Sequence, residues 1–240
     1  MFGKKRGYSF AEQKNQRHRI RWILLWVFVF FAVYTSLTSL VFSMRVLENG
    51  TMEPGLHAGD RFIFSSYKIY SFIPGPDMEK LPFKRGNVVL VDTSLGNKRG
   101  FFSLALDGVL RFFTAQRFSL ERQGEQVYLK RVIGLPGDEI TMTNFVIRVK
   151  PKGDAYSFTE FELWDTPYEI DIPQVPALWD NTLPFSGNME RVVLGSDECF
   201  VLSDDRSNTN DSRTWGPVPV KHIAGKVLFR YWPFTKLGQP

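Results

Sequence analysis

The chain has 240 residues, 43% of them hydrophobic and 23% charged, which bounds it to one domain or one domain with an insertion and excludes a disordered or collagen-like chain. A single cysteine excludes an internal disulfide framework and a cysteine-rich zinc site, and three scattered histidines argue against a His-built metal centre. Of the net charge of +5, the first 21 residues carry +6, from Lys4, Lys5, Arg6, Lys14, Arg17, Arg19 and Arg21 against Glu12; the rest is −1, so no basic fold for nucleic acid is expected.

After this basic tail (1–21), residues 22–44 carry no charge (WILLWVFVFFAVYTSLTSLVFSM). As a helix they reach about 34 Å, enough for a transmembrane anchor. The basic side precedes the span, so the N-terminus is expected in the cytoplasm and the remainder outside. A cleaved secretory signal is the competing reading, but the apolar stretch is long and no A-x-A-like site follows it. A cytosolic core helix fits less well, because the run is apolar all round.

The rest reads as mainly β. Strands are predicted at Arg61–Phe64, Val88–Val91, Val127–Gly134, Glu139–Met142, Phe145–Val149, Val192–Leu194, Cys199–Leu202 and Val227–Tyr231, between Gly, Pro and Asp punctuation. No helical pattern separates them as βαβ units require, so the expected core is an antiparallel, barrel-like one over 45–149 and 191–240. Residues 101–118 are the exception: Phe102, Leu106, Val109, Leu110 and Phe113 share a helical face in a basic stretch. That helix either lies in a membrane interface or packs on the core. Residues 150–190, rich in Pro, Trp and acids, read as an inserted β subdomain.

Three stretches carry candidate chemistry. Lys130 falls in a predicted strand, with Leu129 and Arg131 on the opposite face. Facing an apolar site, its amine loses its charge readily and becomes a general base near neutral pH; facing water, it is an ordinary surface lysine. Thr51, between Gly50 and Pro54, offers a hydroxyl on a stiff turn, either a nucleophile with a base nearby or a hydrogen-bonded turn residue. Residues 203–216 (SDDRSNTNDSRTWG) form a polar loop of the kind that braces an active site or simply satisfies itself through Asx turns. Cys199, in an apolar stretch, reads as a small buried hydrophobe.

Taken together these stretches resemble bacterial type I signal peptidase, a membrane-anchored serine protease. GTMEPGL (50–56) resembles the family's nucleophile box, usually S-M-x-P-T, and GDRFIF (59–64) the strand after it. KRGNVVLVD (84–92), YLKRVIGLPGDEI (128–140), SDDRSNTNDSRTWGPVP (203–219) and Ala224-Gly225-Lys226 follow in the family's order. The resemblance implies an all-β catalytic core with a β insertion and no cofactor. It implies Lys130 as general base and Thr51 in the nucleophile position. The oxyanion donors would be the Thr51 N–H and Asn49, where many members have serine. Thr209 takes the position of a serine that orients the lysine. Asp204, Arg206, Asp211, Arg213 and Arg131 would brace the site, and Leu47, Met52, Tyr128 and Leu129 take positions lining the pockets for small residues. The implied partners are preprotein signal peptides and the lipid bilayer, at the cytoplasmic membrane with the catalytic domain outside.

The departures are Thr51 for serine, Asn49 for serine, Thr209 for serine, Ser203 for glycine and Gly55 for threonine. The threonine methyl restricts χ1 and crowds a tight site. Two activities therefore follow: a peptidase with a Thr51/Lys130 dyad, or a signal-peptide-binding paralogue disarmed at residue 51. A histidine base, His57 or His222, has no orienting partner by motif.

Overall fold

The computed structural model describes residues 10–40, 42–66, 81–93, 110, 127–164, 167–174 and 187–240, with side chains described from residue 15 to 34 and from 44 onward within those ranges. The predicted helix over 101–118 lies outside the described residues apart from Leu110. One long helix, α1 (Phe10–Leu40), leads into an otherwise antiparallel β protein. Among the described residues, no helix is long and apolar enough to cross a membrane. The apolar run expected to span 22–44 is divided: the helix ends at Leu40, and Phe42–Val46 forms strand β1. β1 pairs along its whole length with β2 (Arg61–Ser66), from Phe42↔Ser65 to Val46↔Arg61. Aromatic and β-branched residues at the end of the run serve a strand as well as a helix, and the waiting edge of β2 decides between them. On α1, Trp22, Ile23, Leu24, Leu25, Trp26 and Phe28 are all exposed.

The remaining strands are β3 (Val88–Asp92), β4 (Val127–Gly134), β5 (Glu139–Thr143), β6 (Val146–Lys150), β7 (Phe158–Thr159), β8 (Met189–Val193), β9 (Glu198–Leu202), β10 (Val218–Pro219) and β11 (Ile223–Trp232). They make a seven-stranded sheet in the order β1-β2-β11-β3-β4-β9-β10 and a four-stranded sheet in the order β7-β6-β5-β8. The expected barrel-like closure is corrected: among the described residues the larger sheet is open, with β1 and β10 as its edges. β10 is two residues long and ends in Pro219, which has no N–H to offer a further strand. The Pro/Trp/acid-rich stretch contributes β7 to the smaller sheet, which also takes in β5, β6 and β8.

Strand alternation sorts the apolar residues into cores. Val88 and Leu90 of β3 pack with Leu47, Met52, Leu56, Phe62, Phe64, Leu129 and Val227. Val89 and Val91, on the other face, pack with Phe83, Val132, Cys199, Val201, Val218 and Ile223. A third cluster, around Ile140, Ile147, Phe200 and Leu202, joins the two sheets. The chain leaves β4 for β5 through Leu135–Asp138, a turn pinned by Asp138, whose carboxylate accepts from the Leu135 N–H and from both Nε and Nη2 of Arg85.

Candidate active site

Lys130 sits on β4, a central strand bonded to β3 on one side and β9 on the other. Val89 is its pairing partner across β3, so its stem lies on the apolar Val89/Val91/Val132 face. Nothing of the residue reaches solvent. Burial pulls the amine from 10.5 down to about 8, with the Asp211 carboxylate opposing part of that fall. The amine lies 5.9 Å from the ring centroids of both Tyr128 and Trp215, and these rings pack together at 5.2 Å.

Residues 203–205, which continue from β9, join Lys130 to the turn that carries Thr51. Lys130 Nζ donates to Ser203 Oγ at 2.7 Å. On the opposite strand face, Arg131 donates from Nε to Asp204 Oδ1 at 2.8 Å and from Nη2 to Asp204 Oδ2, and from Nη1 to the Gly86 carbonyl. The Lys-Arg pair of β4 thus meets the Ser-Asp pair after β9 side by side, as expected from the register Arg131↔Leu202. Asp205 then donates its N–H to the Thr51 carbonyl at 3.3 Å. Ser203 and Asp205 are two residues apart, about 7 Å of chain at most, so one short segment holds both Lys130 and Thr51.

Thr51 lies in the turn between β1 and β2. Glu53 N–H bonds the Gly50 carbonyl and Leu56 N–H the Met52 carbonyl, while Met52 and Leu56 are buried in the core beneath. Arg230 of β11 clamps the far side, donating to the Gly55 carbonyl and to Asp60. The Thr51 hydroxyl donates to Asn49 Oδ1 at 2.9 Å. His57 is exposed and its backbone N–H donates to Asp60, while His222 lies in a surface 3-10 turn.

Beside this turn a cavity of about 130 Å³ is lined by Leu47, Asn49, Phe62, Phe64, Val127 and Leu129, with Arg45 and Glu48 among the remainder. Leu47 and Leu129, expected to line a substrate pocket, both line this cavity. Tyr128 does not line the cavity: residues 127 and 129 share one face of β4 and 128 shares the other with Lys130. Met52, also expected there, is fully buried in the core.

The polar loop is tied by its own acids. Asp211 accepts from the Ser203 N–H, from Nε and Nη2 of Arg213, and, as N-cap of the one-turn helix Ser212–Trp215, from the Arg213 N–H. Burial alone would raise its carboxyl, but these bonds more than offset that and hold it below the usual carboxylate range. Arg213 also donates to the Arg206 and Asn208 carbonyls. Thr209, expected to orient the lysine, accepts at its carbonyl from the Asp211 N–H and the Thr214 hydroxyl. The hydroxyl on the amine is that of Ser203.

A family model described as Signal peptidase, peptidase S26 matches residues 19–232. The chain belongs to that family. The signal peptidase I of Bacillus caldolyticus is 32% identical over 178 residues, 74% of this chain and 84% of that protein. Signal peptidase IB of Staphylococcus aureus is 33% identical over 111 residues, 45% of this chain and 55% of that one. The probable thylakoidal processing peptidase 2 of Arabidopsis thaliana is 26% identical over 213 residues, 86% of this chain but 44% of its own length.

Within this S26 chain, sequence reading missed the partners that the smaller sheet sends to the site. Glu160, just after β7, is buried and accepts from Arg206 Nη2 and from the Tyr168 hydroxyl. The Tyr168 ring lies 4.1 Å from the Arg131 guanidinium. Arg206 is fully buried, and among the described residues its Nε and Nη1 have no hydrogen-bond partner, so Glu160 is its charge partner. Nothing local marks Glu160 or Tyr168; both lie in the Pro/Trp/acid-rich stretch that reads as an inserted β subdomain. Trp215 was visible only as part of the W-G motif. Cys199 is buried as expected, its Sγ donating to the Val218 carbonyl, and burial pushes the thiol up to about 12.

Proposed function

We propose that the chain removes signal peptides from exported preproteins with a Thr51/Lys130 hydroxyl–amine dyad. The observation that carries the reading is Lys130: a fully buried amine with a pKa near 8, hydrogen-bonded through Ser203 to the segment whose Asp205 also bonds the backbone of Thr51. At a pH near 8 a useful share of such an amine is neutral, as a general base requires. Neutral Lys130 takes the Thr51 hydroxyl proton while Oγ1 attacks the scissile carbonyl. The oxyanion is met by the Thr51 N–H and by the Asn49 amide, whose Oδ1 accepts from Thr51 at rest and whose Nδ2 carries two further donors. Protonated Lys130 then gives its proton to the leaving amine. Neutral again, it activates the water that hydrolyses the acyl-enzyme. No cofactor enters. The cavity beside Asn49 is small, with Leu47, Phe62, Phe64, Val127 and Leu129 in its wall, in keeping with short side chains ahead of the cleaved bond.

The proposal includes anchoring by α1. From Trp22 to Leu40 the helix extends about 28 Å, close to the hydrocarbon thickness of a bilayer. Its exposed Trp22, Leu24, Trp26 and Phe28 need an apolar surrounding. With the basic tail inside, the catalytic residues stand outside the cytoplasmic membrane, where a signal peptide presents its cut site.

One observation favours a second reading, binding without cleavage: the Thr51 hydroxyl is directed to Asn49, and its methyl narrows the rotamers open to it. Purified full-length chain in detergent, incubated with a preprotein, separates the two. Release of the mature N-terminus by the native chain and its loss in Lys130→Ala is expected; cleavage retained in Lys130→Ala would refute the dyad.

A further inference from the structure

The lysine's orientation is the weakest point of a Lys-based mechanism. A neutral amine has one lone pair and two hydrogens on a rotatable tip, so something must fix which direction the lone pair takes. The residue in the position expected for this task, Thr209, uses its carbonyl within the loop, and it is only half-buried. Ser203 is fully buried and its Oγ is 2.7 Å from Nζ. We propose that Ser203 is the positioning residue of the dyad, its hydroxyl anchoring one amine hydrogen so that the lone pair is left for the Thr51 proton.

Ser203 is itself held. Its backbone N–H donates to Asp211 Oδ2 at 3.0 Å, and Asp211 is gripped by Arg213 through two side-chain bonds. Val201 N–H donates to the Ser212 hydroxyl at 3.0 Å, tying β9 to the same one-turn helix. The Tyr128 and Trp215 rings limit the amine to the remaining directions. A chain of contacts therefore runs from Arg213 through Asp211 and Ser203 to Lys130. A glycine at 203 would keep the backbone link to Asp211 and lose the hydroxyl. The serine is thus a side-chain device in this chain, specific to the amine.

The inference rests on the proposed dyad, and its test separates the two. Full-length chain with isotope-labelled lysine is titrated in detergent, and the Lys130 signal is assigned by its loss in Lys130→Met. Ser203→Ala, Ser203→Gly and Thr209→Val are compared with the native chain, their folding checked by the backbone amide spectrum. An acceptor favours the ammonium more than the neutral amine, so Ser203→Ala and Ser203→Gly should lower the titration midpoint by roughly half a unit to one unit. The acid limb of the cleavage pH profile should move with it. Cleavage kcat should fall about tenfold or more with little change in KM, whereas Thr209→Val should leave midpoint and kcat within about twofold. An unmoved midpoint in both Ser203 variants, or an equal shift in Thr209→Val, overturns the proposal. If the native chain cleaves nothing, the dyad reading fails, yet the titration still decides whether Ser203 governs the amine.

Discussion

Lys130 is in conflict with its surroundings, and that conflict is measurable as stability. Its amine falls from 10.5 in an unfolded chain to about 8 in the fold because burial disfavours the ammonium. At about 1.4 kcal/mol per pH unit, this is a penalty on the folded state of about 3 kcal/mol. The penalty is fully present below pH 8, where both states carry the proton. It fades between about 8 and 10.5, where the unfolded chain still binds the proton and the fold does not, so stability rises with pH through that window. Lys130→Met keeps the volume and removes the ionisation. It leaves Ser203 Oγ without the amine, which costs about 1 kcal/mol. A net gain of about 2 kcal/mol at pH 7 is expected, raising Tm by roughly 4–8 °C. Thermal unfolding of the full chain in detergent at pH 7.0 and 9.5 measures both effects. The variant should be the more stable at pH 7.0, with the native chain closing the gap at 9.5. A less stable variant at pH 7.0, or parallel pH dependences, would refute the buried-amine reasoning.

Other outcomes follow from the same contacts. Because neutral Lys130 is the active form, kcat/KM should rise about tenfold per pH unit up to about 8 and level off above it; a profile flat from pH 6 to 9 contradicts the assignment. Glu160→Gln leaves Arg206 buried without its charge partner and should cost roughly 3–5 kcal/mol in denaturant unfolding; a loss below about 1 kcal/mol would show the pair to be dispensable. Gly134→Ala would place a methyl 2.7 Å from Ile140 Cδ1 and 2.8 Å from Leu194 Cδ1, where the two sheets meet, and should destabilise by roughly 1–3 kcal/mol, while an unchanged Tm would mean that this junction relaxes freely.

The large sheet was legible because its strands are short apolar runs between turn residues. Val127–Gly134 is predicted and observed with the same bounds, and Arg61–Ser66 and Val88–Asp92 extend their predictions by only one or two residues. β1 was not legible: Phe42–Val46 prolongs an apolar helix, and only the edge of β2 makes it a strand. β7 and β10 have two residues each, too few to show a period. At the site, the Lys-Arg and Ser-Asp dipeptides were visible as motifs, whereas their apposition depends on how β4 registers with β9. For that reason the sequence pointed to Thr209 for a contact that Ser203 makes. Tyr128 takes a pocket-lining position by resemblance to the motif, whereas alternation along β4 puts its side chain on the face of Lys130. Glu160 and Tyr168 are invisible in sequence because their burial depends on the smaller sheet closing over Arg206.

The dyad is tested most directly at residue 51. The measurement is cleavage of a preprotein by the purified full-length chain, with Thr51→Ala and Thr51→Ser alongside. The account predicts cleavage by the native chain, none by Thr51→Ala, and activity at least equal to native in Thr51→Ser, which keeps the hydroxyl and loses the methyl. Undiminished cleavage by Thr51→Ala, or a native chain that is inert until Thr51→Ser restores it, would contradict a working threonine nucleophile.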